Sequence, residues 1–519
     1  MISNRRREGS LSASAASFFR DLGNYIRRIA TEEYKIHLLV FFIIMFIAVT
    51  TRILFLSQPM RYDEAHTFLH YASKPLSSAL SNYSTPNNHL FHTFLVHITC
   101  LIGGNQPWLV RLPAFLAGIL LVPASYLVIR RFYNKGAALL TASLVASSGM
   151  LIFYSTNARG YTLVALFFLL TLALANYLRQ KSNSFVWLLW AILSALGFYT
   201  IPIMIFPFGV VSTWLLISLL LEKNIPQRRI LVKQFFIFVG LVALLVFTLY
   251  SPIIMTSGLK PIISNQFIKA PAYSQFWAEL PSYLKKTWNF LNTGIPRPLR
   301  LLLTIGFFLS LIFHKRLTNQ HMPVIIAVIT FCIPLLVFKR VIRLPRIWLF
   351  LLPLYLGLAS AGISLFSHPR QFRVIQRYKS IIFALLAITI SFSLSFNLTQ
   401  QRYFKISKTG EAHQTASLLK DLLKSEEDRV LSLCPINSPI QYYSHLKGIP
   451  EAYFIRYFPK QGINSINRLF IAVKKGRQTL KEVLKKGRVP TNYYNKPKLV
   501  KKIKSINLYE MSKANRDTF

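Results

Sequence analysis

Long apolar runs dominate the chain. Stretches suited to crossing a bilayer core as helices recur at 36–56, 109–129, 136–154, 161–178, 184–200, 202–221, 231–251, 299–313, 321–338, 347–366 and 380–397. They predict an all-α polytopic membrane bundle of about eleven transmembrane helices, with interfacial helices beside it. The segment NHLFHTFLVHITCLI, at 88–102, is short and carries three histidines, so it reads as an interfacial or re-entrant helix. The pattern changes near residue 398. There GEAHQTASLLKDLLKSEEDRVLSLCP reads as an amphipathic helix followed by a short strand, and RLFIAVKKG and LVKKIKSINLYEM read as further strands. A small C-terminal α/β domain follows from that pattern.

Three regions result. Residues 1–35 form a polar, arginine-rich tail, 36–397 a transmembrane domain, and 398–519 a small external domain. Within the transmembrane domain, 57–108 is the first external loop and 252–298 a large external loop. The tail is too long and polar for a cleavable signal, and reads as cytoplasmic. If 88–102 does not cross, the basic clusters around Arg130-Arg131, Arg179-Lys181, Arg228-Arg229, Lys315-Arg316 and Arg370–Lys379 all share the side of the N-terminus. The positive-inside rule demands that arrangement, and it places the C-terminal domain outside a plasma (inner) membrane.

Composition changes the picture in one respect. A net charge of +44 in a soluble protein points to nucleic acid. In a chain that is 53% hydrophobic it reflects positive-inside loops and anionic membrane lipids, and no nucleic-acid motif is present. Cys100, Cys332 and Cys434 show no metal-ligand spacing.

Acids are scarce. Between Lys35 and Thr399 they are Asp63, Glu64, Glu222 and Glu279. Two in succession beside the membrane, in QPMRYDEAHT, point to a role in chemistry. The rival reading is a helix cap by Asp63, with Arg61 as a loose partner. Asn87, Asn88 and His89 open the non-crossing helix and offer amides and an imidazole to a sugar or phosphate; their plain alternatives are turn formation and a structural hydrogen bond. Lys339, Arg340, Arg343 and Arg346 fall outside, with Arg159, where the charge rule disfavours cations. Such a cluster suits a phosphate, or alternatively lipid headgroups.

Together these residues fit an amphiphile with an anionic head, such as a lipid-linked phosphosugar. A sugar on a lipid phosphate has a good leaving group and needs cationic stabilisation. The acceptor hydroxyl is a poor nucleophile and needs a general base, which Asp63 or Glu64 can supply. A transporter or flippase of a lipid-linked sugar is the rival class. It favours ionisable groups at the midplane and paired broken repeats, and this chain has no acid inside a predicted span.

In order and spacing, RYDEAHTF, PNNHLF, G-x-x-x-PWLVRLPAFLAGIL and YSTNARGYTL resemble the bacterial membrane glycosyltransferases of the C-type fold. These are relatives of the protein O-mannosyltransferases and of the lipid A aminoarabinose transferase. The resemblance spans roughly 36–400. It implies inverting transfer of a sugar from a polyprenyl-phosphate donor to a glycan, lipid or protein acceptor on the outer face, with Asp63 as the catalytic acid of the pair and Glu64 beside it. It also implies membrane-surface helices in the first external loop. Many relatives carry a second carboxylate where this chain has Thr156-Asn157-Ala158-Arg159, so no metal site and no cofactor is expected here. Glu279 is the one acid that could replace it. The aminoarabinose branch usually has a lysine where Asn87 and Asn88 precede His89, which argues against that substrate.

Overall fold

The computed structural model describes residues 10–222, 228–263, 270–318, 320, 322–340, 344–367, 373–400, 410–459 and 466–514. The chain divides into two compact units. One comprises Met1–Phe55, Leu80–His92 and Arg111–Lys405; the other comprises Leu56–Ala79, Thr93–Val110 and Ile406–Phe519.

The first unit is a helical bundle. Lys35–Leu56, Pro107–Phe132, Tyr161–Gln180, Pro202–Leu221, Arg228–Ser257 and Ser380–Gln400 are each long and apolar enough to cross a membrane. Lys135–Ser147 and Gly149–Ser155 pass the same test together, bent by 57°. The predicted crossings at 184–200, 321–338 and 347–366 form the shorter apolar helices Ser184–Thr200, Val324–Lys339 and Leu351–Phe366. The one at 299–313 falls on Arg297–Ile312. Leu90–Gly103, most of which belongs to the second unit, has 14 residues, about 21 Å of helix against a hydrocarbon core of about 30 Å.

The bend at Ser148 has an identifiable cause. A helix break leaves carbonyls of the preceding turn without their usual donors. Arg52, fully buried in the first long helix, donates from Nη1 to the carbonyls of Ala146 at 2.8 Å and Ala48 at 3.1 Å, and from Nη2 to that of Val145 at 3.4 Å. A buried guanidinium thus satisfies the carbonyls freed at the break. Beyond it lies the link carrying Arg159.

A helix at the N-terminus, Leu11–Glu32, is capped by Ser10, whose hydroxyl accepts from the Ala13 N–H at 3.2 Å. It is pinned to the bundle through Asp21, which accepts from Tyr177 Oη at 2.7 Å and Lys181 Nζ at 2.8 Å. Within the stretch 252–298, Tyr273–Leu291 is a helix. Its Tyr283 hydroxyl accepts from Trp348 Nε1 at 2.7 Å, which fixes the 3-10 turn Pro345–Trp348.

The second unit is built on a five-stranded sheet of order β2-β1-β3-β5-β4, with β1 Asp428–Ser432, β2 Phe454–Ile455, β3 Arg468–Lys474, β4 Lys498–Ile503 and β5 Ile506–Ser512. β1 runs parallel to β2 and β3; β5 runs antiparallel to β3 and β4. Side chains alternate between two cores. Val430, Phe470 and Leu508 join Leu419 and Ile440 in one. Leu431, Leu469, Ile471 and Met511 join Val483 in the other. The exposed lysines Lys498, Lys501 and Lys502 lie along the edge strand β4, where charge deters further pairing.

Most of the stretch 57–108 belongs to this unit, whereas its sequence position suggests the bundle. The hydrogen bonds explain the grouping. Tyr443 Oη accepts from the Met60 N–H at 3.0 Å, and Tyr442 Oη donates to the Asn105 carbonyl at 2.6 Å. Phe68 packs edge-on against Tyr442, with ring centroids 5.2 Å apart.

Candidate functional site

Asp63 and Glu64 lie in the first turn of a one-and-a-half-turn helix, Tyr62–Thr67. Proline precedes the turn by two positions and the backbone at Arg61 is extended, so the helix starts abruptly. Successive residues on a helix face different ways, and the two acids are therefore placed differently. Glu64 is completely buried. Its Oε2 accepts from the Arg61 N–H at 3.3 Å, and its Oε1 lies 3.9 Å from Arg61 Nη1. Arg61 is held in turn by Gln58, whose Oε1 accepts from Nη2 at 2.8 Å. Glu64 therefore caps the turn. Asp63 stays half-buried, one position earlier on the same helix.

After this helix the chain makes a π-helical turn, Phe68–Ala72. Single π turns inside helices often mark functional sites. His66 stacks on His70 with ring centroids 4.1 Å apart, and lies parallel to Tyr62 at 5.8 Å. Burial lowers the His70 pKa from the usual imidazole range.

A second constellation forms within the bundle unit, around Tyr161. The Arg346 guanidinium carbon lies 5.6 Å from the Tyr161 ring centroid and that of Arg159 lies 6.0 Å from it. The ring of His89 packs edge-on against Tyr161 at 5.3 Å, and that of Tyr154 at 5.2 Å. Arg159 is only 3% exposed, and its Nη1 donates to the Asn87 carbonyl at 2.9 Å. Asn88, also buried, donates from Nδ2 to the Asn82 carbonyl at 3.0 Å. Two cations against one aromatic ring keep positive charge in a partly desolvated place, which is what an incoming phosphate needs.

The histidines here add no charge. His89 Nδ1 accepts from the Gly160 N–H at 2.8 Å, so the ring carries its proton on Nε2. Burial, then Arg159, His92 and Arg346, hold its pKa well below the imidazole range. His92 is pushed down to about 3 by burial and then by Arg159. Both ring nitrogens of His92, and Oδ1 of Asn157, are buried without a hydrogen-bond partner among the described residues. Gly160 is required by close packing. A Cβ there would meet Thr200 Cγ2 at 2.3 Å and His89 Nδ1 at 3.3 Å.

Of the ten residues singled out in the sequence, Asn87, Asn88, His89, Arg159 and Arg346 thus come together in the bundle unit, while Asp63 and Glu64 share the turn of the second unit. Arg340 has other partners. It adopts a left-handed backbone at φ 51°, donates to the Pro271 carbonyl at 2.7 Å and lies 4.5 Å from the Tyr273 ring centroid. Lys339 lies over its neighbour Phe338, at 5.7 Å. Arg343 lies outside the described residues. Glu279 is exposed, and its Oε1 accepts from Gln275 at 2.7 Å. Glu222 pairs with Arg179 at 2.7 Å. Sequence reasoning passed over Tyr161 as a site residue; its signal was the Ala-Arg-x-Tyr spacing that sets it two positions after Arg159. Among the described residues, no three His, Cys, Asp or Glu side chains converge so as to hold a metal ion.

Comparison with known proteins bears on the same regions. Residues 86–254 match the family described as dolichyl-phosphate-mannose-protein mannosyltransferase. No curated protein sequence matches the chain. Among solved structures, ArnT from Cupriavidus metallidurans bound to undecaprenyl phosphate is similar at 11% identity and a TM-score of 0.58, over 91% of this chain and 97% of that one. ArnT from the same organism in the apo state gives 11% identity and a TM-score of 0.58, over 90% and 97%.

Proposed function

We propose that this chain, which has the C-type fold of membrane glycosyltransferases, transfers a sugar from a polyprenyl-phosphate donor to an acceptor at the outer face of the membrane, with inversion. The observation that carries this reading is the division of labour between the two acids. Glu64 is enclosed and committed to its turn, while Asp63 remains half-buried. A general base must reach both solvent-borne acceptor and proton, so Asp63 takes that role.

The chemistry balances without a cofactor. The acceptor oxygen attacks the anomeric carbon and loses its proton to Asp63. The bond from that carbon to the phosphate oxygen breaks, and the electron pair leaves with polyprenyl phosphate. Arg159 and Arg346 are assigned to the phosphate, whose charge grows as it departs. Asn87 and His89 shape the ground on which those cations rest, through the Asn87 carbonyl and the Gly160 N–H, and Asn88 fixes the same stretch by donating to the Asn82 carbonyl. Lys339, Arg340 and Arg343 are assigned to lipid headgroups or the donor's approach. The fold relative bound to undecaprenyl phosphate supports the donor class.

The test is release of free polyprenyl phosphate by purified protein from a panel of polyprenyl-phosphate sugars, in the presence of membrane extract as acceptor. Wild type should release it and Asp63→Asn should not. Full activity in the variant would remove Asp63 from the mechanism.

A further inference from the structure

The second unit contains a cavity of about 340 Å³ that the proposed chemistry does not use. Its polar lining comes from Ser57, Gln106, His413 and Lys447, and its aromatic wall from Tyr443. Each part has a physical reason to be there. Tyr443 is buried and fixed, since its hydroxyl accepts from the Met60 N–H. The ring of His413 stands edge-on to it at 5.1 Å. His413 is held below the imidazole range by burial and then by the nearby Lys447 ammonium. It therefore offers a neutral imidazole near neutral pH.

The lining has a definite electrostatic character. No acidic side chain contributes to it, and Lys447 has no ion pair among the described residues. A cation left so in a concave site favours an anion, because solvent is partly excluded and little competes for the charge. The remaining groups are those that recognise a sugar ring. An aromatic face and the walls of Pro59 and Pro107 take its C–H surface, while an amide, a hydroxyl and an imidazole take its hydroxyls. The volume lies at the small end of ligand pockets, which run from about 300 to about 1,000 Å³. That suits one or two sugar units and not a lipid chain.

We propose that this cavity binds an anionic saccharide unit, bearing a carboxylate or a phosphate, and that this unit belongs to the acceptor. The second half of the proposal rests on the transferase reading above. Position supports it. Ser57 and Pro59 line the cavity, and the same stretch runs directly into the Arg61–Glu64 turn. Pro59 and Asp63 are four residues apart, at most about 14 Å of extended chain. An acceptor seated in the cavity therefore has its next units within reach of the Asp63 carboxylate. Such an acceptor is an oligomer recognised through its charge.

The test is direct binding. Full-length protein in lipid nanodiscs is titrated by calorimetry with three probes: a disaccharide ending in glucuronic acid, a disaccharide phosphate and an uncharged disaccharide. At least one charged probe should bind at least about tenfold more tightly than the uncharged one, a difference of about 1.4 kcal/mol. The better of the two charged probes identifies the acidic group. Lys447→Gln should erase the preference and Lys447→Arg should keep it. Equal binding of all probes, no binding of any, or a preference that survives in Lys447→Gln would overturn the site. Asp63→Asn should bind the charged probe as wild type does. If it does, and neither protein releases polyprenyl phosphate, the saccharide site stands and the transferase reading fails. If release is seen but no probe binds, the converse holds.

Discussion

The Arg61 N–H donates to Glu64 Oε2 at 3.3 Å, closing the turn that carries Asp63. This bond ties Glu64, the buried one of two adjacent carboxylates, to the turn, while Asp63 sits half-buried one position earlier. Glu64→Ala removes a cap from a buried position, and caps are worth about 0.5–2 kcal/mol. Thermal unfolding in detergent should show a lowered midpoint for this variant. Asp63→Asn should leave the midpoint unchanged while abolishing polyprenyl-phosphate release. The opposite pattern, an inactive but undestabilised Glu64→Ala beside an active Asp63→Asn, would exchange the two roles.

Arg159 and Arg346 face the same ring, Tyr161, so their contributions to donor binding should not add. Hydrogen bonds to charged groups are worth about 1.5–3 kcal/mol. Each of Arg159→Gln and Arg346→Gln should raise the donor concentration for half-maximal release about ten- to hundredfold. The double variant should fall short of the product of the two. An unchanged donor titration in both would move the phosphate site elsewhere.

The neutral histidines make stability depend on pH. The unfolded chain takes up a proton at each imidazole near pH 6.5, with the usual value as reference. Folded His92 does not do so until about 3, and folded His89 is lowered as well. Below about 6.5 the unfolded state therefore binds more protons, and folding stability falls as pH falls, by at most about 1.4 kcal/mol per pH unit for each ring. Melting temperatures measured between pH 7 and pH 5 should decline, and His92→Leu should flatten the decline. Identical slopes for wild type and variant would show that His92 titrates normally in the fold.

Gly160 packs where a side chain does not fit. Gly160→Ala brings a methyl to 2.3 Å from Thr200 Cγ2, and overpacking of this kind costs about 1–3 kcal/mol. The variant should melt lower and bind donor more weakly, because the displaced link carries Arg159. Thr200→Ser removes the clashing methyl while keeping the hydroxyl that donates to the Leu196 carbonyl at 2.8 Å. Combined with Gly160→Ala it should restore part of the stability. No restoration would mean that the His89 side of the contact sets the cost.

Much of this architecture was legible in the chain. Apolar runs located the long helices, because the period and length of a buried helix are local properties. The change of pattern after residue 398 located the sheet, whose alternation between Val430 and Leu431 is written directly in the strand. The scarcity of acids singled out Asp63 and Glu64. The bend at Ser148 was not legible, since it is stabilised by Arg52, nearly a hundred residues away in sequence. Nor did composition distinguish Arg346 from Arg340. Both are arginines of one short stretch, and only packing turns one toward Tyr161 and the other toward Tyr273.

By itself, then, the amino-acid sequence determined the helical class, the small α/β domain and the short list of groups able to do chemistry. These follow from hydrophobic periodicity and charge, which each segment carries alone. The tertiary structure decided which of two neighbouring acids is spent on a cap, which arginines share a ring, and why two histidines stay neutral. It also decided that Ser57, Gln106 and Lys447 line one cavity. Those outcomes depend on burial and on contacts between residues far apart in the chain, and neither is a property of any single segment.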